Sequence, residues 1–310
     1  MSSYFPGKED KSLENGAILL KELIAYGNGK FNPIRSLSIE ELKGSSQPHL
    51  GPLLMKHRLK IAMDVANHRA NWPSSHHRLY NGFLQDRQIY VMKFEPIIFQ
   101  EEEEIIQKGI NNIVFAAQMK HKNFLKLIGC CLETQFPILV FDFVGCTTLA
   151  DRILSHSQPH LGPLLLKLRL KIAMEIAHAV AYFHLGFPRP IVFGSLAPWN
   201  IFLDEDSNRK FNCNEKVDVY CFGELLFMLL SGLSLKNFLK NKGFQMGDIG
   251  PDNLNEIIDP MIVGEGICSV KEQQLLALVR LVSECLCPEP EDMPNMIDVT
   301  KQLRKMYKSS

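Results

Sequence analysis

Lys93 closes the apolar run Ile89-Tyr90-Val91-Met92, and Ser195 and Asn200 stand five positions apart in a second stretch, Ile191 to Leu203, that is apolar at both ends. An ammonium at a strand end can meet a phosphate, and an amide oxygen such as that of Asn200 can ligate a divalent cation when a second ligand stands nearby. Such a set would serve phosphoryl transfer, which depends on positioning and on cancelling developing negative charge with metals and cations. The set is incomplete. The Ser195 hydroxyl is un-ionised at neutral pH and holds no charge for a substrate proton, and Ala197 offers no polar group. Asp204-Glu205-Asp206 follows Leu203 in a short turn and reads as a solvated acidic turn rather than a substitute carboxylate cluster. The plain readings are therefore a solvated Lys93 and an Asn200 that bonds its own loop backbone.

Other reactive residue types suggest no site. Cys130-Cys131 and Cys285-x-Cys287 have no second pair at zinc-binding distance, so the eight cysteines read as buried or half-buried thiols in a reducing compartment. His76-His77 has no cysteine or carboxylate beside it and reads as a loop pair. No metal and no cofactor is expected. Thirty-four basic residues balance thirty-four acidic ones, which leaves no global field to draw nucleic acid or an anionic membrane. No run reaches the roughly 18 apolar residues of a membrane span. The N-terminus has no signal-peptide core, and Ser2 is not the glycine that myristoylation needs. The expected compartment is the cytoplasm.

The 310 residues are 46% hydrophobic, enough to bury one large core or two smaller ones. Gln47 to Ala66 returns almost unchanged as Gln158 to Ala177, and only once, which marks a duplication rather than a solenoid. In the second copy Leu165, Leu168, Ile172, Ile176, Val180 and Phe183 follow helical spacing up to Gly186. In the first copy His57, His68 and Arg69 break that stripe, so residues 44–72 read as an insertion of uncertain docking. Ala17 to Ile24 predicts a short helix, and Ser38-Ile39-Glu40-Glu41 a capping box that starts another. Leu79 to Leu84 and Ile89 to Phe94 predict a hairpin. A helix is expected over Asn111 to Met119, with Glu101 to Glu104 as a solvated face ahead of it, then strands over Phe124 to Cys131 and Pro137 to Phe143. Beyond Leu149 the periods are helical: the repeat helix, Val217 to Leu230, Leu254 to Ile262, Glu272 to Cys285 and Met296 to Tyr307. A mixed lobe followed by a helical lobe is an α+β plan.

The order of these elements and several motifs together resemble a plant receptor-like kinase catalytic domain. Val91-Met92-Lys93 is similar to the strand lysine of V-A-I-K. His121-Lys122-Asn123-Phe124-Leu125-Lys126-Leu127-Ile128-Gly129-Cys130-Cys131 resembles the H-x-N-x-x-K-L-x-G-C-C stretch of wall-associated kinases, and Leu139 to Phe143 the strand entering the hinge. Glu215 to Gly223, EKVDVYCFG, is very similar to E-K-x-D-V-Y-S-F-G. The likeness covers about residues 75 to 306. The leader, Glu14-Asn15-Gly16-Ala17-Ile18-Leu19-Leu20 through Asn32-Pro33-Ile34-Arg35, resembles a narrower group, the ZRK family of HopZ-ETI-deficient-type pseudokinases.

Departures from the active pattern matter more than matches. In the frame H-R-D-x-x-x-x-N, Phe193 takes the His position, Gly194 the Arg, Ser195 the base Asp and Ala197 the loop Lys, leaving Asn200. His76 to Gly82 contains a single glycine where a phosphate-wrapping loop belongs. The helix Glu that should pair with Lys93 falls on Asn112. Only 18 positions separate Asn200 from Asp218, too few for the magnesium-binding Asp, the activation loop and its A-P-E anchor; the Arg that pairs with that anchor is Met293. Asp218 persists at a position that in the family holds the catalytic-loop backbone.

These features predict a bilobal protein-kinase-like fold with a reduced small lobe and a helical large lobe lacking the activation segment. The expected domains are an N-terminal helical extension over residues 1–74 carrying the insertion, an N-lobe over 75–142 and a C-lobe over 143–310. By resemblance the chain is a catalytically inactive adaptor or decoy of plant immunity. Its implied partners are a nucleotide-binding leucine-rich-repeat (NLR) receptor and receptor-like cytoplasmic kinases that pathogen enzymes modify, with those partners as its route to the plasma membrane. Two alternatives stand beside it: a residual ATP-binding serine/threonine kinase using Lys93 and Asn200, and a degenerate, truncated gene product.

Overall fold

A computed structural model describes residues 8–27, 33–43, 77–85, 87–94, 101–143, 149, 153, 164–187, 191–192, 196, 215–263 and 269–309. The chain divides into two units, Met1–Cys146 and Thr147–Ser310. The first copy of the repeat, His76 and Asp204 to Asp206 lie outside the described residues, with the expectations placed on them. His77, expected in a loop pair, is instead the first residue of a strand and pairs with Phe94, which corrects that expectation.

In the first unit, helix α1 (Lys8–Gly27) begins nine residues before the expected Ala17. Its early turns carry no apolar stripe for a sequence pattern to find. They are supported by an exposed Lys11–Glu14 ion pair at 2.8 Å and by Asn15, whose Nδ2 donates to the carbonyls of Leu132 and Thr134, both at 3.0 Å. Leu19 and Leu23 are buried on the same side, and Tyr26 meets Phe115 edge to face at 5.1 Å. After α1 come a two-residue strand β1 (Arg35–Ser36) and helix α2 (Ile39–Lys43). The predicted capping box starts α2: Glu41 N–H donates to Ser38 Oγ at 3.2 Å, and Ser38 N–H donates to Glu41 Oε2 at 2.9 Å. That backbone bond and Arg35 hold the exposed Glu41 carboxyl below its usual range.

The hairpin forms as β2 (His77–Leu84) against β3 (Arg87–Phe94), turning at Gln85 with φ of 49°. With β4 (Leu127–Cys131) and β5 (Ile138–Asp142) the sheet order is β1-β4-β5-β3-β2, all antiparallel except β1 beside β4. Gly129 makes that parallel pairing possible, since a Cβ there would stand 2.5 Å from the Arg35 carbonyl oxygen. Leu37, Leu42, Leu84, Ile89, Cys131, Ile138 and Val140 form one buried cluster of this sheet.

Helix α3 (Glu102–Gln118) also starts nine residues earlier than its predicted start at Asn111, which corrects that expectation. The acidic residues fill its first turn, where the positive end of the helix dipole favours them, and they remain exposed. Gly109, read from sequence as a gap ahead of the helix, is instead a contact position. Its missing side chain leaves room for Phe94 and Pro137, each 3.3 Å from where a Cβ would be.

In the second unit, the second repeat copy forms helix α4 (Leu166–Leu185), ending at Gly186 as predicted. Its buried face differs from the predicted stripe in the first turns. Leu165 is 58% exposed, while Leu166, Arg169, Leu170 and Ala173 point inward, joining the predicted Ile176, Val180 and Phe183. Helix α5 (Glu215–Ser231) is buried along most of its length. Helix α6 (Leu235–Lys242), absent from the sequence reading, is capped by Ser234, whose Oγ accepts from Asn237 N–H. The single helix expected over Leu254 to Ile262 is two short ones, α7 (Leu254–Ile257) and α8 (Pro260–Val263), because Pro260 has no N–H to continue the first. Helices α9 (Ser269–Cys285) and α10 (Met296–Lys308) complete the unit, α9 packing on α5 and α10 on α4. Among the described residues no single helix is long and apolar enough to cross a membrane.

Candidate functional site

The β3 register fixes where Lys93 lies. It pairs with Arg78 on β2 and Ile138 on β5, one position before the fully buried Phe94, so strand alternation turns it away from the core that holds Met92's other neighbours. Lys93 is exposed, and among the described residues it has no hydrogen bond or ion pair. Asn112, at the position of the helix carboxylate in the resemblance, is 0% exposed in the middle of α3. An uncharged amide there carries no opposite charge for an ammonium. Ser195, Ala197 and Asn200 lie outside the described residues. Ile191, Val192 and Leu196, which frame their stretch, are buried, and Ile191 N–H donates to the Phe183 carbonyl at 3.1 Å.

Asp218 sits in the first turn of α5 with no exposed surface. Its Oδ2 lies 2.8 Å from Nε2 of His184, itself buried in the last turn of α4. A carboxylate without water must be met by donors, and the imidazole supplies one, joining the end of α4 to the start of α5. This contact fastens helices together and offers no open face to a reacting group. Two residues before Asp218, Lys216 Nζ donates to the Met293 carbonyl at 2.5 Å. Met293 is 8% exposed, its thioether side chain buried.

A second buried polar centre escaped the sequence reading. Arg169 donates through Nε to the Leu164 carbonyl at 2.6 Å, through Nη1 to the Leu229 carbonyl at 2.8 Å and through Nη2 to Asp259 Oδ2 at 2.5 Å. Asp259 Oδ1 accepts from Met261 N–H at 2.9 Å. Gly232, at φ +73°, makes room for the carboxylate, since a Cβ there would be 2.9 Å from Oδ2. One guanidinium thus ties α4, the end of α5 and the α7–α8 junction together. The available signal was positional: Arg169 falls three after Leu166 and four before Ala173, on the inward face of an otherwise apolar helix. His184, four after Val180, continues the same face.

Among the described residues no group of three or more His, Cys, Asp or Glu side chains is placed to hold a metal ion. A cleft of about 520 Å³ lies beside the end of α3 in the first unit and is lined by Pro33, Ile34, Met119, Lys120, Phe124 and Lys126 among others. It does not include Lys93.

Known proteins resemble the chain at both levels. The family model described as protein tyrosine and serine/threonine kinase matches residues 86–212. The non-functional pseudokinase ZED1 of Arabidopsis thaliana is 30% identical over the whole of both chains. The serine/threonine-protein kinase ZRK1 of the same plant is 29% identical, over 96% of this chain and 92% of that one. Among solved structures, the pseudokinase DRIK1 bound to ENMD-2076 superposes with a TM-score of 0.55 at 22% identity, over 89% of this chain and 97% of that one. With ZED1 30% identical over the whole of both chains, this chain belongs to the kinase-fold family of the ZRK and ZED1 pseudokinases, related to wall-associated receptor kinase-like proteins.

Proposed function

We propose that the chain is a catalytically silent adaptor of plant immune signalling, which binds an NLR receptor and the kinases that pathogen enzymes modify. The observation that carries the first half is the loss of charge at both ends of the phosphate-handling apparatus. Asn112 is buried and neutral where Lys93 needs a carboxylate, and Ser195 stands where a general base must be ionised. Loss of general-base help alone lowers a rate by about 10² to 10⁴, and missing metal ligation lowers it further. Relatives named non-functional pseudokinases, ZED1 and ZRK2, support the same reading. The second half rests on that family membership and on a scaffold kept intact by buried polar pairs. Partner binding would then bring the chain to the plasma membrane.

A residual nucleotide-binding role rests on Lys93 and Asn200 alone. Thermal melts with and without Mg-ATP, on the wild-type chain and Lys93→Ala, separate the readings. An adaptor melts cooperatively at a temperature that nucleotide does not move, and is retained by an NLR leucine-rich-repeat fragment in a pull-down. A nucleotide-dependent rise that Lys93→Ala removes would sink the silent reading, and a well-folded chain that no such receptor fragment retains would sink the adaptor reading.

A further inference from the structure

The cleft beside the end of α3 joins an apolar lining to a set of cations. Ile34, Met119 and Phe124 contribute to the lining, Lys120, Lys122 and Lys126 supply the charge, and no acidic side chain lines it. The three lysines are exposed, Phe124 is buried, and Ile34 and Met119 are half-buried. Fixed backbone carries these residues. Met119 N–H donates to the Ala116 carbonyl at 3.3 Å, Phe124 N–H to the His121 carbonyl at 3.2 Å, and Asp142 N–H to the Lys126 carbonyl at 2.9 Å. The His121 ring meets Phe124 edge to face at 5.7 Å. Arg35, paired with Gly129 where β1 joins β4, brings the preceding Ile34 to the same cleft. A helix end carries about half a negative charge, so the end of α3 offsets less than one of these three ammoniums.

We propose that this cleft binds a small organic phosphate monoester, its apolar body against Ile34, Met119 and Phe124 and its phosphate among Lys120, Lys122 and Lys126. The volume, about 520 Å³, is that of a site that encloses a small organic molecule. Lysine meets phosphate as a point charge, and several lysines together favour a dianion over the single charge of a carboxylate. Neither half of such a ligand is enough alone. Inorganic phosphate leaves the apolar lining in water, and a neutral hydrocarbon gains nothing from the cations. Backbone that is already tied down keeps the cost of ordering the site small. Mg-ATP is a poor fit, because its metal neutralises phosphate charge and its ribose would set hydroxyls against an apolar lining. The inference rests on the cleft and is independent of the adaptor reading.

Isothermal titration calorimetry on the full chain with naphthyl phosphate tests it. Saturable one-to-one binding is expected, roughly tenfold tighter than for naphthol or inorganic phosphate and weakening as salt rises. Lys120→Glu combined with Lys126→Glu, both at exposed positions, lowers the affinity roughly tenfold by turning attraction into repulsion, while the melting temperature of the free chain stays where it was. Lys236→Glu, at an exposed lysine of α6 in the second unit, leaves binding unchanged. A wild-type chain with no saturable binding would overturn the proposal. So would equal affinity for naphthol, indifference to the double reversal, an equal loss with Lys236→Glu, or displacement of the ligand by Mg-ATP.

Discussion

Lys93 and Arg169 are both cations on regular elements of their units, and their surroundings are opposite. Lys93 is exposed, and its ammonium lies in water without a described partner. Around Arg169 every acceptor remains: two carbonyls and the Asp259 carboxylate, with Gly232 making room. The difference is one of solvent. An exposed ammonium whose partner is lost is still solvated, so nothing in the fold resists the loss. A guanidinium at 4% exposure has no such refuge, and losing its carboxylate would leave a bare buried charge. An exposed cation can therefore go without a partner at little cost, whereas the buried joint of the second unit needs every acceptor it has.

The largest effect expected is at that joint. Asp259→Ala should destabilise the second unit by about 3 to 5 kcal/mol in a urea melt, since Arg169 is left buried and unpaired. Replacing both partners, Arg169→Met with Asp259→Leu, should recover most of that loss, as an apolar pair needs no charge balance. Failure of the double variant to recover would mean that the two carbonyl bonds, rather than the ion pair, hold the joint.

Asn15→Ala should cost about 1 to 3 kcal/mol, because the Leu132 and Thr134 carbonyls lose a donor where α1 meets the first unit. Hydrogen exchange would show the loss concentrated in α1. Buried thiols extend the contrast to pH. Burial pushes Cys130 from 9.0 to about 12 and Cys285 further up, and in each case a neighbouring group, Cys131 or Glu284, adds to the rise. The folded state then holds protons that the unfolded chain releases, so this contribution is complete below pH 9 and declines as pH rises toward the folded values. Iodoacetamide at pH 8 should leave both thiols unlabelled until the chain unfolds, and labelling in the native state would contradict their burial. Smallest of all, Lys93→Ala should change stability by no more than about 0.5 kcal/mol, which a melt can bound. A larger loss would reveal a buried partner for Lys93 and break the comparison.

The elements legible in sequence were those with a strong local signature. The β2–β3 hairpin, the Ser38–Glu41 capping box and the Gly186 stop were read from a few adjacent residues, because turn and cap chemistry is settled within them. The starts of α1 and α3 were missed where the reasons were distant: Asn15 reaches residues more than a hundred positions away, and Gly109 is a contact with Phe94 rather than a break. Lys93 could be placed at a strand end from its run of apolar neighbours, but its exposure followed only from pairing with Arg78 and Ile138.

The sequence by itself determined the family frame and which motif positions are uncharged, because a side chain's identity decides whether it can carry charge, whatever surrounds it. Ser195 is no base and Asn112 no counter-ion in any fold. Tertiary structure alone decided which polar groups became joints: that Arg169 turns inward to Asp259, that His184 meets Asp218, and that Asn15 of α1 reaches the Leu132 and Thr134 carbonyls. Burial is a property of what packs against a residue, and those neighbours come from segments that no local pattern connects.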